Sequence, residues 1–190
     1  VNPETERGAV HTLELLPAQA IAEPIRQYAR ERMAAALQHH DQWREAIRNL
    51  DAGSERVKLL TDSLRDRAVR EAVHVLRAIH ALSDRETMAV ALENVQSRDA
   101  NQRANALETL ESVREAQIIR PVLRVWEADS EAASTRDDGA GTRILEATLD
   151  DGDFWIRACA ALAVGAGDPA PFRKKINGDG SKRFGWDGAR

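Results

Sequence analysis

Three consecutive residues, His39-His40-Asp41, carry side-chain types that bind transition metals. Neighbouring side chains on a helix point about 100° apart, so the two imidazoles cannot converge on one ion, and no third ligand stands at a suitable spacing. They read as solvated surface. His74 and His80 are six positions apart and share no helix face, so they form no metal clamp. Around Asn177-Gly178-Asp179-Gly180-Ser181 a calcium loop would need acidic ligands at its first and twelfth positions, which are Lys175 and Trp186. A turn is the better reading. Cys159 is the single cysteine, which rules out an intramolecular disulfide and points to buried packing. No Ser-His-Asp, Cys-His, HExxH or phosphate-cradling glycine pattern occurs. An enzymatic role would require residues to converge in three dimensions, so the expectation is a non-enzyme without metal or cofactor, acting through its surface.

The spacing that does recur is an Asp four residues before an Arg: Asp66/Arg70, Asp99/Arg103 and Asp153/Arg157. At a helix start the Asp can accept from free backbone N–H groups, while the Arg fork can reach the equivalent Asp of a neighbouring hairpin. Asp99, Arg103, Asp153 and Arg157 are therefore expected to form an inter-repeat ladder. Asp66/Arg70 falls inside an uninterrupted helical pattern and reads as an ordinary surface pair.

The elements that must position these residues are helices. Ala, Leu, Glu and Arg dominate and only eight residues are aromatic, a balance that favours helix over strand. Apolar periodicity predicts helices over 4–16, 18–38 and 42–50, with Pro24 starting or kinking the second. From Ser54 to Ala81 the positions Val57, Leu60, Leu64, Ala68, Ala72, Val75, Leu76 and Ile79 run without Gly or Pro, which predicts one long helix. Ser83-Asp84-Arg85-Glu86 is a capping box that opens a helix carrying Met88, Ala91, Leu92 and Val95. Asp99 caps the next helix, which buries Ala106, Leu107, Leu110 and Val113, and Ile118–Trp126 returns beside it. Residues 128–141 hold no large apolar side chain and read as a flexible insertion. Helices resume over 142–149 and 154–164, and Trp43, Trp126 and Trp155 are expected to pack between helices.

The chain also repeats itself at an offset of 97 residues: Ala9–Pro24 aligns without a gap on Ala106–Pro121, matching Thr12/Thr109, Leu13/Leu110, Glu14/Glu111, Ile21/Ile118 and Pro24/Pro121. Three helical-hairpin units of about 30–35 residues fill that offset, which suggests stacked helix pairs. The phrases SRDANQRANALETLESV at 97–113 and DDGDFWIRACAALAVG at 150–165 resemble HEAT-type repeats. The run from about Glu55 to Gly165 is similar to the HEAT region of bacterial proteins resembling nucleotide translocases, in which that region follows a membrane transporter-like domain and often precedes a cyclic-nucleotide-binding domain.

The resemblance implies an all-α fold, a right-handed α-α superhelix of stacked antiparallel hairpins of the HEAT/ARM type. It would occupy residues 1–165, with 166–190 a Gly/Lys-rich linker or tail. It further implies a scaffold that contacts protein or neighbouring domains of a longer, transporter-associated chain, on the cytoplasmic side of a membrane. The second helices of the hairpins would line the inner surface, where Glu108, Glu111 and Arg114 are the candidate contacts. Charge agrees with a protein partner. Residues 166–190 hold six Lys/Arg and three Asp/Glu, leaving the body at -7 of a total of -4, and nucleic-acid binding calls for a concentrated basic face. The competing reading is a HEAT-type enzyme or nucleic-acid-binding protein, such as a lyase or DNA glycosylase, which would need an aromatic, carboxylate-bearing cleft or a basic groove.

Overall fold

The computed structural model describes residues 18–83, 85–126 and 139–165, the side chains of 18–20 and 85–87 excepted. Described residues form seven α-helices and one 3-10 turn, with no strand. The helices are α1 (Ala18–Asn49), α2 (Glu55–His80), α3 (Arg85–Asn94), α4 (Ala100–Glu111), α5 (Ala116–Leu123), α6 (Ala140–Leu149) and α7 (Phe154–Val164); the 3-10 turn Arg124–Trp126 follows α5. The helix expected at 4–16, most of the 128–141 insertion and the 166–190 tail lie outside the described residues.

α1 corrects the sequence reading. The segments expected as separate helices over 18–38 and 42–50 are one helix of 32 residues that runs straight through His39-His40-Asp41. None of those three residues is a breaker, and the buried Ala29, Ala36 and His40 and the half-buried Trp43, at steps of seven, four and three, keep a helical spacing across the junction. His40 is buried rather than solvated, because that spacing turns it to the inside while Asp41, the next residue round, stays exposed. Pro24 does not start α1; it lies six residues past its beginning. The second long helix matches its pattern, starting one residue after Ser54 and ending one before Ala81.

Two compact units divide the chain: residues 1–41 with 66–130, and residues 42–65 with 131–190. Both long helices contribute to each. The first unit has its own core, in which Ala29 and Ala36 of α1 and Ala68, Ala72, Val75, Leu76 and Ile79 of α2 meet Met88, Leu110, Ile119 and Val122. In this unit α3 packs on α4, and α4 on α5. Small residues such as Ala29, Ala36, Ala68 and Ala72 and large ones such as Leu76, Ile79, Leu110 and Ile119 together fill this core. The described part of the 97-residue repeat also lies here. Within it Ile21 and Ile118 are both buried and Pro24 and Pro121 both sit inside helices, whereas Ala22 and Pro24 are more exposed than Ile119 and Pro121.

The second unit packs α6 against α7. Its core is Ala46, Leu50, Val57, Leu60, Leu64, Ile144, Ile156, Cys159, Ala160 and Ala163. Gly139 starts α6 at φ +91°, a left-handed conformation that glycine adopts without a Cβ clash. Gly141 lies so close to α1 that a Cβ there would stand 3.1 Å from the Asn49 carbonyl oxygen.

Candidate functional site

Asp99 and Asp153 each build the start of a helix in the same way. The Asp99 carboxylate accepts from the amides of Asn101 (2.8 Å) and Gln102 (3.3 Å), two of the donors a helix start leaves free. Two residues earlier, the Ser97 hydroxyl accepts from the Asp99 amide (3.2 Å). Arg103 then folds back, and its Nη1 donates to the Ser97 carbonyl at 2.9 Å. At the second start the Asp153 carboxylate accepts from the Trp155 amide (2.8 Å), and the Asp151 carboxylate accepts from the Asp153 amide (2.8 Å). Arg157 Nη1 donates to the carbonyls of Asp151 (2.6 Å) and Gly152 (3.1 Å). In both, the residue two before the Asp offers a side-chain oxygen to the Asp amide and its carbonyl to the Arg. The spacing read as an inter-repeat ladder thus has a local use, a lock that ties the turn to the first turn of its helix. Asp66 and Arg70 are both exposed in the interior of α2.

The capping box at Ser83 is realised only in part. A helix does begin at Arg85, but the buried Ser83 hydroxyl has no hydrogen-bond partner among the described residues, and Asp84 and the Glu86 side chain fall outside them.

Glu108 and Glu111 are exposed one turn apart on α4, and Arg114 is exposed in the turn that follows. Next to their stripe, α3 and α4 enclose an open groove of about 450 Å³, lined by Val90, Ala91 and Asn94 on one side and Gln102, Asn105, Ala106 and Thr109 on the other. Among the described residues, no carboxylate, cation or thiol lines it. The Thr109 hydroxyl donates to the Asn105 carbonyl (2.8 Å), and the Gln102 amide oxygen accepts from the Ser97 hydroxyl (2.8 Å). The described lining offers hydrogen-bonding amides and apolar wall.

One interaction was not legible in the sequence. Arg26 of α1 donates through Nε (3.2 Å) and Nη2 (3.0 Å) to the same oxygen of Glu115, a buried residue immediately before α5 and 89 positions away. These hydrogen bonds raise the Arg26 guanidinium above its ordinary value. No spacing links two residues so far apart in the chain, so only the packing of α1 against the turn before α5 reveals the pair. On the outer side of α1, Glu23 accepts from Arg30 (3.0 Å) and lies near Arg26 (3.6 Å). The Arg30 hydrogen bond, foremost, holds the Glu23 carboxyl below the usual range.

Of the three tryptophans expected to pack between helices, Trp126 is half-buried against the first core and Trp43 is half-buried against the second, with the Arg65 guanidinium 5.3 Å from its ring centre. Trp155 differs: it is 54% exposed. Its ring nitrogen turns inward, donating to the Ser63 hydroxyl of α2 at 3.0 Å. That hydroxyl donates to the Leu59 carbonyl (2.8 Å) and lies 3.6 Å from the buried Cys159 sulfur. A hydroxyl has one proton, and Leu59 takes it, so the Cys159 thiol is the donor to Ser63.

Among the described residues no group of three or more His, Cys, Asp and Glu side chains is placed to hold a metal ion, and no helix is long and apolar enough to cross a membrane. Comparisons with protein-family models, curated proteins and solved structures found no match to this chain.

Proposed function

We propose that this chain is a non-catalytic helical scaffold whose partners are proteins or neighbouring domains of the same polypeptide. The observation that carries the reading is the face formed by α3 and α4, an open groove of amides and apolar wall beside the exposed Glu108 and Glu111. A surface of this kind recognises by area and charge, and a few well-placed contacts supply most of the affinity. Arg114 extends the charged edge past the end of α4.

The finer architecture we propose is a HEAT-type stack of hairpins coiled into a right-handed superhelix. Its support is the pair of hairpin-like contacts α3/α4 and α6/α7, the burial of both Ile21 and Ile118 in the 97-residue repeat, and the twice-used Asp-Arg lock. In such a stack Asp99, Arg103, Asp153 and Arg157 set hairpin register at the helix starts. We further propose that the domain is the cytoplasmic part of a larger transporter-associated protein at the inner face of a membrane; this rests on the likeness of 97–113 and 150–165 to HEAT phrases in such proteins.

The test is hydrogen exchange of α3 and α4 in the full-length protein, native against Glu108→Lys/Glu111→Lys. Faster exchange in the reversed variant, with unchanged circular dichroism, is expected as a partner contact is lost. Equal exchange removes this face from consideration.

A further inference from the structure

A helix that is apolar on every side normally lies inside a protein. α7 is such a helix, since Arg157 is the one charged residue in Phe154–Val164. Its inner side, with Ile156, Cys159, Ala160, Ala163 and Val164, is buried as that rule requires. The outer side is not. Trp155, Ala158 and Leu162 follow one another at i, i+3 and i+7; Trp155 is 54% exposed, Leu162 is 50% exposed, and Ala158 between them is half-buried. Phe154 beside them is 60% exposed, with the Arg157 guanidinium 5.9 Å from its ring centre.

The face continues onto α2. Ser63 receives the Trp155 ring N–H, and Arg56 places Nη1 3.4 Å from where a Cβ on Gly165 would stand. α2 and α7 therefore run antiparallel along this seam, and Leu59, exposed and midway between Arg56 and Ser63, lies on the same edge as Leu162.

The two ends of this apolar face carry opposite charge. Asp150, Asp151 and Asp153 precede the Phe154-Trp155 end and, with Arg157 folded back among them, leave it net negative, and Arg56 stands at the Gly165 end. The aromatic end and the Leu162 end are about 10 Å apart along the helix. Turned through a two-fold axis across Ala158, the face is complementary to itself: Trp155 of one copy meets Leu162 of the other, the small alanines meet at the centre, and each acidic end meets the other copy's Arg56. Two-fold interfaces demand this reciprocity.

We propose that the α7 face binds a second copy of this chain, α7 against α7 in antiparallel orientation, with Trp155 and Leu162 as the apolar anchors and Arg56 opposite Asp150 as the charged register. All of these residues belong to the second unit, so the inference is independent of the reading of the α4 face.

Sedimentation velocity of the whole chain across a wide concentration range tests it. A reversible dimer that salt weakens is expected, and Leu162→Glu raises the dimer Kd by about tenfold or more, as burial of a charge at an interface anchor does. Arg56→Asp alone and Asp150→Arg alone each place like charges opposite one another and weaken the dimer. Mixed together, the two variants regain it, because the aspartate introduced in one copy then faces the arginine introduced in the other, while the native Arg56 and Asp150 still meet at the opposite end. Recovery on mixing also shows that both variants are folded. A monomer at every concentration overturns the proposal, whether the face is covered within the chain or only by water. So does a dimer that Leu162→Glu and the charge variants leave unchanged.

Discussion

Arg26 reaches Glu115 from 89 positions away and both of its contacting nitrogens converge on one oxygen, so this pair fixes where α1 meets the turn before α5. Glu23 and Arg30 do a lesser job on the open side of the same helix. Because the Glu23 carboxyl is held below its ordinary value by the Arg30 hydrogen bond, its contribution to stability is present above the unfolded-state value and disappears as pH falls through the lowered one. Thermal melts of the native chain and Glu23→Gln should accordingly differ slightly at neutral pH, with the native chain the more stable, and converge on acidification. A gap that widens in acid would mean that Glu23 acts through something other than this bond. The pair is exposed and salt screens it, so raising ionic strength should narrow the neutral-pH gap too. His40 shows how the same residue type changes meaning with the helix it sits in. Read beside His39 and Asp41 it belonged to a solvated corner; inside a continuous α1 it is turned inward.

At the scale of the element, Asp99 and Asp153 explain where α4 and α7 begin. Each carboxylate accepts from amides that would otherwise have no helical partner, and each following Arg closes the turn from the other side. Asp99→Ala and Asp153→Ala should each cost about 1 kcal/mol in urea unfolding, the usual loss for an N-cap. Asp66→Ala, in the exposed interior of α2, should change stability by less than about 0.5 kcal/mol. If all three cost the same, the caps contribute no more than surface charge and the lock is incidental. Spacing alone separated Asp66 from the other two, because no helix start was legible near it. What spacing could not supply was the Arg partner. A guanidinium four residues past a cap reaches its own turn or a neighbour equally well on paper; in the folded chain Arg103 and Arg157 each bond carbonyls of their own turn. The outer side of α7 was equally illegible: Phe154-Trp155-Ile156 has the composition of buried helix, and nothing local separates the inward Ile156 from the outward Trp155.

For the whole molecule, two separate cores share the long helices α1 and α2 and no residue of one belongs to the other. Leu110→Ala in the first core and Ile156→Ala in the second each remove a fully buried side chain, and each should cost about 2–5 kcal/mol. The double variant should cost their sum within about 0.5 kcal/mol in denaturant unfolding, since sites with no shared partner add. A large departure from the sum would show that both side chains act on one packing unit.

Helical class, the long α2, the caps at Asp99 and Asp153 and the buried Cys159 were all determined by the chain's own residues, because each depends on periodicity or on contacts within a few positions. Continuity of α1, the Arg26–Glu115 pair, the use of Arg103 and Arg157, and the uncovered side of α7 were decided only on folding. Each of these depends on which surface of one helix meets another, and local order along the chain carries no record of that.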